Sequence, residues 1–140
     1  MGLTARVQAW RDRGRTEDVG GRRIHVFTRE GSDPLLLLLH GFPSSSYDWV
    51  PLLERENEHA VIAFDCLGFG LSGKPAKHEY SLFEQADIAE ELVRRHAAGR
   101  PVFIVGHDMG TSVASELMAR IATTARVRAV VLMPDGPPVA

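Results

Sequence analysis

The sequence predicts an α/β fold in which a mostly parallel sheet carries helices on both faces. Short apolar runs alternate with helical patterns between residues 35 and 133, and such alternation is typical of parallel strands joined by helical crossovers. These runs are apolar along their whole length rather than at every second position. Strands of that kind are buried on both faces of a sheet, so we expect a central sheet between two helical layers.

A helix and a β-hairpin are predicted before the parallel core begins. Val7 and Trp10 stand at helical spacing within residues 4–13. Gly20-Gly21 is a two-residue turn signal. The segments on either side of this turn have strand-like character, so we predict a hairpin over residues 15–29.

The core is predicted to run from residue 35 to residue 133 as four strands separated by three helices. Each strand is a short apolar run bounded by turn residues, and the four runs cover residues 35–40, 60–65, 102–106 and 127–133. The first core helix begins near Ser44 and is expected to bury Trp49, Leu52 and Leu53 on one face. The second begins at Ser81, which has capping-box spacing to a glutamate three residues later.

The segment Gly106-His-Asp-Met-Gly110 joins the third core strand to the third core helix. Glycine stands two residues before and two residues after Asp108, and this spacing permits a turn so sharp that the central residue is exposed at the end of the strand. A Cβ at either glycine would block the close approach. The pattern indicates a nucleophile elbow with aspartate as the nucleophile. The alternative is an ordinary strand-to-helix turn in which Asp108 caps the helix.

Two further loops follow predicted strands, at residues 40–43 and 65–70. The carboxyl ends of parallel strands open on one edge of a sheet, which is where α/β proteins place their chemistry. We therefore expect both loops to meet the Asp108 turn. This convergence favours the elbow over the helix cap.

Composition excludes several classes of protein. The chain has 140 residues, 44% of them hydrophobic and 24% charged, with a net charge of −2. These values predict one soluble globular domain, or part of one, and give no reason to expect binding to nucleic acid or to a membrane. Cys66 is the single cysteine, so an internal disulfide is excluded. The first twenty residues lack the apolar core of a signal peptide, and a single cysteine fits a reducing compartment, so we predict a cytoplasmic location.

The three loops together resemble the α/β-hydrolase superfamily, in its epoxide hydrolase and haloalkane dehalogenase branch. Residues 40–49, His-Gly-Phe-Pro-Ser-Ser-Ser-Tyr-Asp-Trp, resemble the oxyanion loop of that branch, and residues 65–72 resemble its D-x-x-G-x-G-x-S segment. The turn around Asp108 resembles its aspartate elbow. Within the branch, residues 69–75 and 80–85 most resemble proteins of the mesoderm-specific-transcript type.

This resemblance implies hydrolysis of a small molecule through a covalent ester. Asp108 would open an epoxide by attack at a saturated carbon, and water activated by a histidine would then hydrolyse the ester. The backbone N–H groups of Phe42 and Met109 would form the oxyanion hole. Asp135 stands where some members of the family carry the acid that orients the histidine, although an ordinary turn residue in Pro-Asp-Gly is at least as good an interpretation. No cofactor and no metal are implied.

Three more residues of the first loop are expected to be structural. They are His40, Gly41 and Pro43, and the resemblance implies a cis peptide between Phe42 and Pro43. The glycines of the elbow, Gly106 and Gly110, belong to the same structural set.

The chain departs from the family at several positions. Phe42 and Met109 stand where related dehalogenases hold halide with asparagine and tryptophan, and neither side chain donates a hydrogen bond, so dehalogenation is less favoured. Epoxide hydrolases of this branch protonate the opening ring with tyrosines of a lid segment. The two tyrosines of this chain, Tyr47 and Tyr80, lie outside any lid. No histidine follows His107, whose own side chain is expected to point into the fold. The remaining histidines are predicted to lie on the surface: His25, His59, His78 and His96.

We therefore predict that residues 1–140 are the N-terminal part of one α/β-hydrolase domain, without the lid and the last two strands. The apolar strand at residues 127–132 would be a sheet edge, which favours self-association or a second chain that completes the sheet. The predicted function is epoxide-hydrolase-like chemistry at Asp108, in a chain incomplete for turnover. The alternatives are a non-catalytic remnant or interaction module on the same scaffold, or a haloalkane dehalogenase.

Overall fold

A computed structural model of the protein describes residues 2–121 and 127–133. Its six strands are β1 (Arg15–Val19), β2 (Arg22–Arg29), β3 (Ser32–Leu39), β4 (His59–Phe64), β5 (Val102–His107) and β6 (Val127–Met133). The α-helices in this part of the chain are α1 (Ala5–Asp12), α2 (Val50–Arg55), α3 (Leu82–His96) and α4 (Met109–Ile121), and a 3₁₀ turn, Ser46–Trp49, precedes α2.

All six strands form one sheet in the order β1-β2-β4-β3-β5-β6. The β1–β2 hairpin pairs antiparallel with β4, whereas β4, β3, β5 and β6 are mutually parallel. The mostly parallel sheet predicted from the apolar runs is therefore confirmed. Strand β3 lies at the centre, with Leu37, Leu38 and Leu39 buried.

Helices cover both faces of the sheet. Helices α3 and α4 bury Leu92 and Leu117 against one face, together with Leu37 of β3. On the other face, Trp10 of α1 and Leu53 of α2 form a second cluster. Burying each such side chain stabilises the fold by about 1.5–3 kcal/mol.

This arrangement creates a switch point at the carboxyl ends of β3 and β5. The chain leaves β3 towards α2 on one face and leaves β5 towards α4 on the opposite face. Connections that diverge in this way open a crevice between the two neighbouring strand ends. The loop after residue 39 and the Asp108 turn therefore border the same crevice.

The first core helix differs from the prediction in its phase. Trp49 and Leu53 are buried as expected, but Leu52 is 37% exposed. The segment begins as a 3₁₀ turn, which has three residues per turn instead of 3.6. A buried face predicted with 3.6 residues per turn from Ser44 onwards is therefore rotated relative to the buried face observed in α2.

Strand β6 forms one edge of the sheet, beside β5. Val131 and Leu132 of this strand are 39% and 48% exposed, as expected for an apolar edge. Within residues 2–121 and 127–133, no helix has the length and apolar character needed to cross a membrane. The same residues contain no cluster of three or more His, Cys, Asp or Glu side chains suited to a metal ion.

Candidate active site

Asp108 occupies the turn between β5 and α4 in a left-handed backbone conformation, with φ of 53°. This conformation is uncommon for any residue other than glycine and is concentrated at functional sites. A Cβ on Gly106 would lie 2.4 Å from the Gly110 carbonyl oxygen, and a Cβ on Gly110 would lie 2.2 Å from that of Leu39. Both distances are far below van der Waals contact, so the sharp turn requires glycine at both positions.

The backbone of Asp108 is fixed on both sides. Its N–H donates to the Met133 carbonyl at 2.8 Å, and its carbonyl accepts from the Thr111 N–H at 2.9 Å. The Thr111 hydroxyl donates to the same carbonyl at 2.7 Å. Because these groups are already paired, the carboxylate is the part of Asp108 that remains to face the crevice.

One carboxylate oxygen of Asp108 is held by the neighbouring loop. The Phe42 N–H donates to Oδ2 at 2.9 Å, while no described residue donates to Oδ1. The two loops approach closely because Gly41 has no side chain, since a Cβ there would lie 2.7 Å from the Asp108 Cβ. Pro43 follows Phe42 through a cis peptide bond, as the resemblance implied. The structure thus brings together Asp108, Gly41 and the Phe42 amide.

Met109 is the first residue of α4. The first N–H groups of a helix have no carbonyl partner within the helix. The Met109 amide, which directly follows Asp108 in the turn, therefore has no partner from helix α4. Its part in an oxyanion hole stays a prediction.

His40 lies beneath this loop and is buried. Its Nε2 accepts a hydrogen bond from the Cys66 N–H at 2.9 Å, and its Nδ1 lies 2.8 Å from the Gly41 carbonyl oxygen. An acceptor Nε2 requires that the proton of a neutral ring be on Nδ1, which then donates to Gly41. Burial lowers the pKa of His40, against an opposing hydrogen bond to Gly41, and this favours the neutral ring.

Asp65 ties the loops after β3 and β4 together. This buried carboxylate accepts from the Ser46 N–H at 2.7 Å, from the Ser46 hydroxyl at 2.6 Å and from the Leu71 N–H at 2.7 Å. The Ser46 oxygen in turn accepts from the Trp10 indole N–H at 3.1 Å. This network was not anticipated from the sequence, where only the D-x-x-G-x-G-x-S spacing pointed to Asp65.

His107 does not point into the core. It is half-buried and lines a cavity of about 290 Å³ together with His40, Asp48, Trp49 and Met133. Its Nδ1 lies 3.0 Å from the point that a Gly41 Cβ would occupy. His107 is therefore a neighbour of the loop that follows β3.

The surface prediction for the other histidines is wrong for His25, which is 3% exposed. His25 belongs to β2, a strand with both faces covered, and its Nε2 has no hydrogen-bond partner in the described part of the chain. The other three are half-buried and lie close to glutamates: His59 at 2.7 Å from Glu56, His78 at 2.7 Å from Glu84 and His96 at 2.9 Å from Glu17. Glu56 and His59 are three positions apart and His78 and Glu84 six, whereas His96 and Glu17 are 79 positions apart and no local pattern could join them. Asp135, the candidate acid, lies outside the described residues.

The sheet is mostly parallel and has the order given above. A strained turn at Asp108 follows strand β5, and the Phe42 amide donates to the Asp108 side chain. These features together define a protein of the α/β-hydrolase class. Residues 34–136 match the model of the alpha/beta hydrolase fold family. The chain belongs to that family, and the fold predicted from its three loops is confirmed.

Relatives support the branch as well as the fold. The chain is 45% identical over 114 residues to the LipZ protein of Mycobacterium tuberculosis, covering 81% of this chain and 39% of that protein. It is 42% identical over 124 residues to the mesoderm-specific transcript homolog protein of Bos taurus, covering 84% and 37%. The crystal structure of the Cif epoxide hydrolase from Acinetobacter nosocomialis matches with a TM-score of 0.75 and 26% identity, over 89% of this chain and 38% of that one. The chain thus spans less than half the length of each of these proteins.

Proposed function

We propose that this chain carries the nucleophile, Asp108, and the two oxyanion-hole amides, Phe42 and Met109, of an epoxide-hydrolase-like enzyme. The observation that carries the proposal is the unequal environment of the two Asp108 oxygens. Oδ2 accepts the Phe42 N–H at 2.9 Å, and no described residue donates to Oδ1. Oδ1 is therefore the oxygen that can attack an electrophile in the crevice, and Oδ2 is the oxygen already aimed at a donor.

The proposed reaction has two steps. In the first, an Asp108 Oδ1 lone pair forms a bond to an epoxide carbon, the ring C–O bond breaks, and the resulting alkoxide takes up a proton. In the second, water loses a proton and adds to the ester carbonyl, so that negative charge develops on Oδ2. Collapse of this intermediate releases the diol and restores the carboxylate. A donor aimed at that oxygen lowers the barrier by roughly 3–4 kcal/mol.

The family position of the base histidine for the second step has no counterpart in residues 1–140. Both nitrogens of His40 are engaged by backbone groups, and no histidine follows His107 in the sequence. Loss of a general base commonly slows a step by a factor of about 10²–10⁴. We therefore expect the 140-residue chain to form the ester and to hydrolyse it slowly.

Peptide mass mapping after incubation with a small reactive epoxide tests this proposal. The expected result is one epoxide mass added at Asp108, together with little diol. Asp108→Asn should abolish the adduct, and Asp48→Asn, which removes another exposed carboxylate near the same crevice, should leave it unchanged. Sustained diol formation would contradict the missing base. Absence of any adduct on a folded chain would overturn the nucleophile assignment.

The second candidate is a non-catalytic interaction module, favoured by one observation. Val131 and Leu132 expose apolar surface on a strand at the edge of the sheet that the described residues form, and such edges pair readily with other chains. We propose that a second copy or another chain completes the sheet there. A haloalkane dehalogenase is less favoured, because the Phe42 and Met109 side chains cannot donate to a halide.

The expected ligand is a small molecule rather than nucleic acid or a membrane. The cytoplasmic location predicted from the single cysteine stays a prediction, and cell fractionation with an antibody to the chain would test it.

A further inference from the structure

We propose that His40 is a positioning residue that aims and polarises the Phe42 amide towards Asp108. The inference rests on the proposed function, in which that amide stabilises negative charge on Oδ2. It goes beyond a structural role for His40, because it assigns a separate task to each of the two ring nitrogens.

The argument begins with a single peptide unit. The Gly41 carbonyl and the Phe42 N–H belong to the same planar group, and in a trans peptide they point in opposite directions. The carbonyl oxygen lies 2.8 Å from His40 Nδ1, and the N–H donates to Asp108 Oδ2 at 2.9 Å. The peptide is therefore held from both sides, and any rotation that releases His40 also turns the N–H away from Asp108.

The Cys66 backbone selects the tautomer of His40 in which Nδ1 carries the proton and can donate to the Gly41 carbonyl. Its N–H donates to His40 Nε2 at 2.9 Å, so Nε2 must be unprotonated and the proton of the neutral ring is on Nδ1. Cys66 directly follows the loop anchor Asp65, whose carboxylate is fixed by three donors. The loop after β4 thus determines the tautomer of a histidine in the loop after β3.

The result is a continuous chain of hydrogen bonds from Cys66 through His40 and the Gly41–Phe42 peptide to Asp108. Donors and acceptors in such a chain polarise one another, by about 10–30% for each bond. Because His40 is buried, water does not compete for either nitrogen. A histidine in this position makes the Phe42 N–H a better donor as well as a correctly aimed one.

Two substitutions distinguish the hydrogen bond of His40 Nδ1 from that of Nε2. In His40→Asn the side-chain amide can replace the Nδ1 donor to Gly41, but it is too short to reach Cys66. In His40→Gln the amide can replace the Nε2 acceptor for Cys66, but it provides no donor at the Nδ1 position. If His40 only filled space, the two variants would behave alike.

The test uses the 140-residue chain in solution by NMR. We expect the wild-type ring to be the Nδ1–H tautomer in long-range ¹H–¹⁵N spectra. We expect the Phe42 amide proton to be shifted downfield, to stay there in His40→Asn and to move upfield in His40→Gln. Asp108→Asn removes the charged acceptor and should also move this resonance, which verifies its assignment. An Nε2–H tautomer in the wild type would overturn the proposal whether or not the variants fold, and an equal response of two folded variants would overturn it as well.

A kinetic measurement adds a second readout. Hydroxide-driven decay of the Asp108 ester should be about tenfold slower in His40→Gln than in His40→Asn, less than the 10²–10³-fold loss seen when a donor is removed outright. Equal decay rates would count against polarisation. If the wild type forms no ester, the proposed function fails, whereas the tautomer and the amide resonance still decide the role of His40.

Discussion

At the scale of single residues, burial favours the neutral form of two histidines. Burial lowers the pKa of both His25 and His40, with the negative charge of Asp65 acting in the opposite direction at each. The unfolded chain, with ordinary pKa values near 6.5, therefore binds more protons than the folded chain as the pH falls. The contribution of these two histidines to the free energy of unfolding is therefore fully present above pH 6.5, and it decreases as the pH falls below that value.

We expect the free energy of unfolding to fall between pH 7.5 and pH 5.5 in urea titrations. Each histidine contributes a slope of at most about 1.4 kcal/mol per pH unit. His25→Phe should flatten the profile, because it keeps an aromatic ring at a position whose Nε2 has no partner in the described part of the chain. Ser115→Ala, an exposed change on α4, should not. A profile that His25→Phe leaves unchanged would show that His25 does not contribute.

The acidic groups act in a different pH range. Hydrogen bonds from Arg94 and Arg95 lower the pKa of Glu91 to about 2. A carboxyl group with a lowered pKa loses its contribution only below its ordinary value of about 4.5. The window from pH 7.5 to pH 5.5 therefore isolates the histidines.

At the scale of elements, the elbow depends on how closely α4 approaches β3. A Cβ at Gly110 would lie 2.2 Å from the Leu39 carbonyl oxygen and 3.0 Å from that of His40. The obstructing atoms belong to the backbone of the central strand and of the residue after it, so they cannot rotate away as a flexible side chain would. The helix itself would have to move, and Asp108 would move with it.

Gly110→Ala should therefore destabilise the protein by about 1–3 kcal/mol, the usual cost of overpacking, and should slow alkylation of Asp108. Thermal unfolding and peptide mass mapping measure the two effects. Gly2→Ala is the matched control, because a Cβ at Gly2 meets nothing within 4 Å. Full stability and full alkylation in Gly110→Ala would be incompatible with the close approach.

At the scale of the whole molecule, the sheet has two very different edges. Strand β1 is polar, with Arg15 and Glu17 paired to each other at 2.8 Å. Strand β6 presents Val131 and Leu132 to solvent. On the neighbouring strand, Phe103 and Val105 are only half-buried. Among the described residues, the hairpin edge of the sheet is therefore polar, whereas the β6 edge exposes apolar side chains.

We expect the chain to sediment above its monomer mass of 15.4 kDa at high concentration. Val131→Lys or Leu132→Lys should shift it towards the monomer, because charged side chains on an edge strand oppose pairing. Phe83→Lys is the control: Phe83 is 63% exposed on α3, away from the β6 edge. A wild-type monomer with cooperative unfolding would argue against a partner at this edge.

Much of the fold followed from the sequence because its signals are local. Apolar runs, the Gly20-Gly21 turn and the capping spacing of Ser81 each depend on residues a few positions apart. The hairpin over residues 15–29 and the strand-turn-helix around Asp108 were predicted correctly for that reason. Glycine at positions 106 and 110 indicated the elbow because only a residue without a Cβ permits that turn.

Only the tertiary structure determined the contacts between residues that are far apart in the sequence. No local pattern places the Phe42 amide 2.9 Å from an oxygen of Asp108, 66 positions away, or buries the ring of His25 beside Gly14. Sequence periodicity reports which face of an element is apolar, but it does not report which polar atoms meet across a crevice. The order of the strands brings those atoms together, and the unequal environment of the two Asp108 oxygens exists only in the folded chain.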